Sequence, residues 1–221
     1  MSDNGERAYK FFVTRPTEAF YALSKQGRDD LQARVKVALD NAGGRKIIGC
    51  QAYWATERWT GFGVEEFDSI GSQQKHADML VKLSWQRYTD SWSVLGTTEN
   101  PIVAVAQGIS SERVYKASVT RPTEAFYALS EQDRDDLQAR VRVALGNAGG
   151  RTIIGCQTYW ATDRWTGFGV EEFDSVEALQ KYANALTPLS WQRYTDSWGI
   201  AGIAGSTKPQ SITSATSGTV G

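Results

Sequence analysis

The chain contains one long segment twice. Shifting the sequence by 106 positions aligns Tyr9–Gly96 with Tyr115–Gly202 without a gap, and about three-quarters of the aligned positions are identical. Whole blocks recur: Val13–Ser24 (VTRPTEAFYALS) returns unchanged as Val119–Ser130. A single long period with this identity predicts two copies of one folding unit, joined head to tail.

The two copies differ most in one stretch near the end of each unit. Ile70–Lys82 (IGSQQKHADMLVK) aligns with Val176–Pro188 (VEALQKYANALTP), and His76, the only histidine, aligns with Tyr182. The units are therefore predicted to share a sheet and a first helix but to have different second helices. Specialisation of one copy is expected at those second helices.

The first half of each unit has the pattern of a strand followed by a helix. Lys10–Arg15 is rich in β-forming residues and stops at Pro16, which suits a strand end. Ser24 is suited to cap the helix that follows. Apolar residues at helical spacing form one face of that helix: Leu31, Val35, Ala38, Leu39 and Ala42. Gly43, followed by a second glycine, predicts the helix end.

The second half of each unit predicts two strands, a helix and a last strand. Arg45–Ala55 and Trp59–Phe67 have strand character and are separated by a short stretch that predicts a hairpin. Ser69 can cap a second helix. Trp85–Val94 then alternates in strand fashion. The predicted order is β-α-β-β-α-β, which is the ferredoxin-like arrangement of an antiparallel sheet with both helices on one face.

A sheet of this kind leaves its other face uncovered. Here that face would carry aromatic rings from Tyr53 or Trp54, from Trp59 and from Trp85, an apolar area too large to face solvent. With the run Trp59–Ser69 leading into a helix and then Leu83–Tyr88, the chain resembles the dimeric α+β barrel superfamily, including small single-module proteins of that group. The resemblance implies an α+β fold in which two ferredoxin-like βαββαβ modules pack sheet to sheet as a pseudo-dimeric barrel within one chain.

The repeat also predicts the domain organisation. We expect an N-terminal extension (1–8), module 1 (9–96), a linker (97–114), module 2 (115–202) and a Ser/Thr/Gly-rich tail (203–221). The linker contains an apolar run, Ile102–Ala106, which is expected to form an extra edge strand.

Composition excludes several kinds of partner. The chain has 24 Lys and Arg residues against 25 Asp and Glu, a formal net charge of −1, without the basic excess of a nucleic-acid-binding protein. No apolar run approaches the roughly 20 residues that a membrane-spanning helix needs. Cys50 and Cys156 occupy equivalent positions in apolar runs, which favours buried free thiols over a disulfide. Without a leader-like N-terminal segment, a soluble cytoplasmic protein is expected.

The sequence argues against a cofactor or metal. The superfamily that the chain resembles includes cofactor-independent monooxygenases, small isomerases and cyclases, and haem-binding enzymes. Haem needs an axial ligand, and His76 is the only histidine and is absent from module 2. There is no His/Cys cluster at metal-ligand spacing and no phosphate-binding glycine loop. We therefore expect no cofactor and no metal.

Candidate functional residues come from the predicted sheet. Glu65 and Glu66 are adjacent in a strand, so one of them should face the barrel; Glu65 and its counterpart Glu171 are the candidate catalytic residues, because a carboxylate in an apolar barrel has a raised pKa and could act as a general base. The candidate ligand-binding residues are aromatic and basic: Tyr53, Trp59, Trp85, Arg87, Tyr159, Trp165, Trp191 and Arg193. Cross-strand Glu–Arg ion pairs and tryptophan core packing are the structural alternatives.

Two functions remain open at this point. The first is binding of an apolar or aromatic small molecule inside the barrel, with a carboxylate that could catalyse proton transfer without a cofactor. The second is a non-enzymatic structural role, in which the modules assemble into homo-oligomers through the linker or the tail. The near-identical repeats, the apolar linker run and the Ser/Thr-rich tail motivate the second function, whereas the superfamily resemblance favours the first.

Overall fold

The computed structural model describes residues 7–98 and 112–204. The elements of module 1 are, in chain order, β1 (Ala8–Pro16), α1 (Glu18–Tyr21), α2 (Lys25–Asn41), β2 (Gly44–Gln51), β3 (Gly61–Phe67), α3 (Ile70–Lys82), α4 (Trp85–Tyr88) and β4 (Thr89–Thr97). The elements of module 2 are β5 (Val114–Pro122), α5 (Glu124–Tyr127), α6 (Glu131–Asn147), β6 (Gly150–Gln157), β7 (Gly167–Phe173), α7 (Val176–Leu186), α8 (Trp191–Tyr194) and β8 (Thr195–Ala204).

The eight strands form one closed barrel in the order β1-β3-β2-β8-β5-β7-β6-β4. Within each module the strands are antiparallel and ordered as in a ferredoxin-like sheet, with the first strand between the third and the fourth. The modules join through β2 with β8 and β4 with β6, so each sheet supplies the edge that the other lacks. The predicted pseudo-dimeric α+β barrel within one chain is confirmed.

The local signals for the first helix hold in both modules. The Ser24 hydroxyl accepts a hydrogen bond from the backbone N–H of Gly27 at 3.0 Å, and Ser130 caps α6 in the same way. Gly43 has φ of +75°, the left-handed conformation that ends a helix and that glycine adopts without strain.

Aromatic side chains fill the middle of the barrel. Phe11 contacts Phe62 of its own module at 6.4 Å between ring centroids, and Phe168 of module 2 at 6.0 Å. Trp92 and Trp198, one from each module, meet edge to face at 5.8 Å. Cys50 and Cys156 are buried free thiols in the same core. The barrel interior is therefore a shared core and not an open lumen.

Three predicted boundaries differ in the structure. Trp85–Tyr88 was predicted to begin the last strand but forms the helical turn α4, and the strand begins at Thr89. The predicted hairpin is longer than expected, because β2 ends at Gln51 and β3 begins at Gly61. Strand β8 continues to Ala204, two residues into the segment predicted as tail.

The predicted linker strand and the C-terminal tail cannot be compared with the structure. Ile102–Ala106 and residues 205–221 lie outside the described residues, so assembly through them stays a prediction. No helix in the described part of the chain is long and apolar enough to cross a membrane.

Candidate functional site

The paired glutamates of the third strand of each module face opposite sides of the sheet. Tyr9 and Phe11 point into the barrel, and their partners across the ladder are Glu66 and Val64. The carboxylate on the barrel side is therefore Glu66, with Glu172 in module 2. The prediction that placed Glu65 and Glu171 inside the barrel was wrong, since alternation along a strand turns them toward the helices.

Ion pairs hold the carboxylates on the barrel side. Glu66 accepts hydrogen bonds from Arg45 at 2.9 Å and from Arg7 at 3.2 Å. Burial acts to raise the pKa of Glu66, but the bonds from Arg45 outweigh it, so the pKa is lowered. Glu172 is bonded to Arg113 at 2.6 Å and to Arg151 at 3.1 Å. These carboxylates are structural groups, each paired with two arginines at the rim of the core.

The predicted catalytic residues lie on the outer face, beneath the second helices. Glu65 is 3.7 Å from the Lys10 ammonium and 3.9 Å from Nδ1 of His76. Glu171 is 3.9 Å from the Lys116 ammonium and accepts a hydrogen bond of 3.2 Å from the Tyr182 hydroxyl. Burial raises the pKa of both carboxyl groups. In each of them, one buried oxygen (Oε2) has no hydrogen-bond partner among the described residues.

The two modules differ in how much of the outer sheet face is covered. One row of positions crosses all four strands of each sheet at the same register. In module 1 the row is Gly49, Gly63, Phe12 and Ser93, and in module 2 it is Gly155, Gly169, Ser118 and Gly199.

Side chains fill the row in module 1 and leave most of it uncovered in module 2, where the Lys116 side chain approaches only the Gly199 end, 3.6 Å from the place of a Cβ. A Cβ placed on Gly63 would lie 2.7 Å from the Phe12 ring, and one on Gly49 would overlap the Lys46 side chain. The counterparts of Phe12 and Lys46 are Ser118 and Thr152. A Cβ on Gly155 would meet nothing within 4 Å, and one on Gly169 only a backbone oxygen at 3.3 Å. We call the row Gly155, Gly169, Ser118 and Gly199 the module 2 floor.

The outer face offers haem no histidine ligand where it is uncovered. His76 is buried, its ring lies 5.5 Å from that of Phe67, and it belongs to module 1, where Phe12 and Lys46 cover the sheet. Burial lowers its pKa to about 4. In module 2 the same place is taken by Tyr182, whose hydroxyl is bonded to Glu171 and whose pKa is raised by burial. The uncovered face and the only histidine are therefore in different modules.

Of the predicted ligand-binding residues, the structure brings Trp59 and Trp165 together at one end of the barrel. Tyr53 and Tyr159 are more than half exposed in the preceding loops. The other four lie outside the barrel: Trp85, Arg87, Trp191 and Arg193, all on α4 and α8.

Sequence reasoning missed two residues beside the tryptophans. Arg58 and Trp92 line the same end of the barrel, together with their module 2 counterparts. Arg58 directly precedes Trp59, and Trp92 lies opposite Val13 in the ladder, so register with β1 would have placed Trp92 inside. Within residues 7–98 and 112–204, no group of three His, Cys, Asp or Glu side chains is suited to bind a metal ion.

Comparison with solved structures supports the barrel. Chlorite dismutase from Candidatus Nitrospira defluvii in complex with imidazole is similar, with a TM-score of 0.74, 11% identity and coverage of 90% of this chain and 91% of that chain. A mutant of the same enzyme in complex with cyanide has a TM-score of 0.73, 12% identity and coverage of 93% and 96%. At this identity the likeness shows the fold. No family model matches the sequence, and no curated protein matches it.

Proposed function

Proceeding from a dimeric α+β barrel built by one chain, we propose that the protein binds a flat, largely apolar small molecule against the module 2 floor and exchanges a proton with it through Glu171. The observation that carries this proposal is the contrast between the modules. Their sequences are about three-quarters identical, yet the substitutions of Phe12 by Ser118, Lys46 by Thr152 and Ser93 by Gly199 all remove bulk from one patch.

The shape of the floor favours a planar ligand. Four strands at about 4.8 Å spacing make a surface about 14 Å wide. Three of the four positions are glycines and the fourth is Ser118, so the surface is nearly level backbone. Gly169 and Ser118 are partly exposed, whereas the counterpart of Gly169, Gly63, is buried. An aromatic ring system can therefore reach the backbone in module 2, whereas side chains fill this place in module 1.

Proton transfer is supported by the groups along one edge of the floor. Glu171 is two residues from Gly169 on the same face of β7, opposite Lys116 in β5. Because burial raises the pKa of its carboxyl group, Glu171 can hold or release a proton closer to neutral pH than an exposed glutamate. The Tyr182 hydroxyl bonded to Oε1 fixes the orientation of the carboxyl group. Oε2 makes no hydrogen bond among the described residues and has the Lys116 ammonium 3.9 Å away, so its hydrogen-bonding capacity is left for a ligand that reaches this edge of the floor.

A planar dye that titrates near neutral pH, neutral red, tests both parts of the proposal. We expect wild-type protein to bind one dye per chain, and Ser118→Phe with Thr152→Lys to raise the Kd at least tenfold, because these changes restore the side chains that cover module 1. Ser118→Ala keeps the floor uncovered and should bind normally. Unchanged binding by the Phe/Lys variant, measured by absorbance titration, would refute the site.

The role of Glu171 is tested by measuring the apparent pKa of the bound dye. A nearby carboxylate stabilises the dye cation, so its apparent pKa should rise on binding to wild-type protein. Glu171→Gln should abolish most of this rise and retain binding. Glu65→Gln, the same change beneath the covered face of module 1, is the matched control and should leave the rise intact. If the apparent pKa of the bound dye rises equally in the wild-type protein, Glu171→Gln and Glu65→Gln, proton exchange through Glu171 is excluded.

A further inference from the structure

A cavity lies at one end of the barrel, away from the module 2 floor. It has a volume of about 480 Å³ and opens between the loops that precede β3 and β7. The same six positions of each module line it; in module 1 they are Val13, Arg58, Trp59, Asp90, Ser91 and Trp92. We call this cavity the barrel mouth. Because the two modules contribute equally, the mouth lies on the pseudo-twofold axis of the barrel.

The walls of the barrel mouth are aromatic. Trp59 and Trp165 are buried in the core, and Trp92 and Trp198 meet edge to face at 5.8 Å. Trp92 keeps 36% of its surface exposed because it lines the open end of the barrel. An exposed tryptophan beside three others offers faces and edges on which an aromatic ring can stack.

The uncompensated charges of the barrel mouth are positive. Asp90 is paired with Arg15 at 3.0 Å, and Asp196 with Arg121 at 3.1 Å, so outer arginines neutralise both acids. The guanidinium of Arg58 instead lies over the ring of Trp59 at 5.3 Å, and Arg164 lies over Trp165 at the same distance. In the described ranges no carboxylate oxygen comes within 4.0 Å of either Arg58 or Arg164.

The loop that carries Arg58 is held in place before any ligand arrives. The backbone N–H of Ala52 bonds to the carbonyl of Thr60 at 2.9 Å, and the N–H of Thr60 bonds to Thr14 of β1 at 3.0 Å. The N–H of Arg58 itself donates to the Thr56 hydroxyl at 3.2 Å. A guanidinium stacked on a ring in such a loop loses little freedom when it binds an anion.

We infer that the barrel mouth binds an aromatic carboxylate. Its ring would pack among the four tryptophans, and its carboxylate would take hydrogen bonds from Arg58 or Arg164, whose planar groups match a carboxylate. A cavity of about 480 Å³ is within the range of small-molecule sites. This site is separate from the module 2 floor and shares no residue with it.

Calorimetric titration with 2-naphthoate and its neutral analogue 2-naphthamide tests the inference. Naphthoate should bind at least tenfold more tightly than naphthamide to wild-type protein, and its Kd should rise with salt because the attraction is partly ionic. Arg58→Gln with Arg164→Gln should raise the naphthoate Kd at least tenfold and leave the naphthamide Kd unchanged. Equal binding of the acid and the amide by wild-type protein would overturn the inference.

A matched control removes two other arginines of the same kind. Arg87 and Arg193 also lie over aromatic rings, those of Tyr88 and Tyr194, but on α4 and α8 outside the barrel mouth. Arg87→Gln with Arg193→Gln should leave naphthoate binding unchanged. A loss as large as that of the Arg58 and Arg164 variant would mean that total charge and not the mouth attracts the ligand. Ring contacts are tested by Trp92→Leu, which should weaken both ligands.

Discussion

At residue 76 and its counterpart 182, the modules place different rings in the same position. The His76 ring lies 5.5 Å from Phe67 at an interplanar angle of 36°, and the Tyr182 ring lies 5.6 Å from Phe173 at 35°. Tyr182 reaches Glu171 with its hydroxyl, whereas neither ring nitrogen of His76 has a hydrogen-bond partner among the described residues. At this position module 1 therefore has two buried ring nitrogens without hydrogen bonds, where module 2 has a bonded hydroxyl.

His76→Tyr is expected to stabilise the protein by about 1 kcal/mol at pH 7, because a phenol at this position can donate to Glu65. The gain should grow as the pH falls below 6.5. Burial lowers the pKa of His76 from 6.5 to about 4, so the unfolded chain takes up a proton before the folded protein does, and stability is lost between these values. Urea unfolding at pH 7 and pH 5 measures both effects.

The reciprocal change, Tyr182→His, should destabilise the protein at pH 7 and more strongly at pH 5. A gain of stability from Tyr182→His, or a loss of stability from His76→Tyr, would contradict the role given to the hydroxyl.

The sequence alone located this position, because the only histidine aligned with a tyrosine in the diverged helix. It did not show that Glu65 lies beneath the ring. Phe62 and Phe67 bury opposite faces of β3, so alternation of apolar residues left the orientation of Glu65 undecided.

Among the secondary-structure elements, α4 shows how a local signal misled the prediction. Trp85, Arg87 and Thr89 alternate as in a strand, yet Trp85–Tyr88 is a helical turn. The turn follows Ser84, whose φ of 53° reverses the chain direction. It is held from outside by Thr17, whose hydroxyl donates to the Arg87 carbonyl at 2.7 Å. The periodicity of residues within one segment cannot predict a contact with a segment 70 residues away.

Replacing Ser84 by glycine is predicted to stabilise the protein by about 0.5–1 kcal/mol, because an L-residue is strained in the left-handed region and glycine is not. The Ser84 side chain makes no capping bond to α4, so nothing is lost with it. The same change at Ser69 is the control. Ser69 has extended backbone and its hydroxyl accepts from Ser72 at 3.1 Å, so Ser69→Gly should destabilise by a few tenths of a kcal/mol.

Denaturant midpoints of the two variants should therefore move in opposite directions. A decrease for Ser84→Gly would show that the left-handed residue is not a source of strain. Ser190, with φ of 52° in module 2, provides a second copy of the test within the same chain.

For the molecule as a whole, the repeat and the superfamily resemblance were enough to predict the barrel. Of the three rings predicted on the inner sheet face, only Trp59 lies in the core, since Tyr53 is exposed in a loop and Trp85 lies on α4. Each sheet must bury its inner face, and a second copy in the same chain supplies the cover. A ligand inside the barrel stays a prediction: Phe11, Phe62 and Phe168 fill the middle, and the barrel mouth leaves space at one end. The module 2 floor could not be predicted from sequence. Ser118, Gly155, Gly169 and Gly199 are scattered along the chain and form one row only when the register of four strands is known.

Bulk on the outer sheet face decides which module binds the planar ligand in the proposed function. The most direct measurement transfers the uncovered floor to module 1 with Phe12→Ser, Lys46→Thr and Ser93→Gly. Equilibrium dialysis with neutral red should then find two dye molecules bound per chain, against one for the wild-type protein. If the folded variant still binds one dye molecule per chain, the uncovered row does not create the site and the proposed function is wrong.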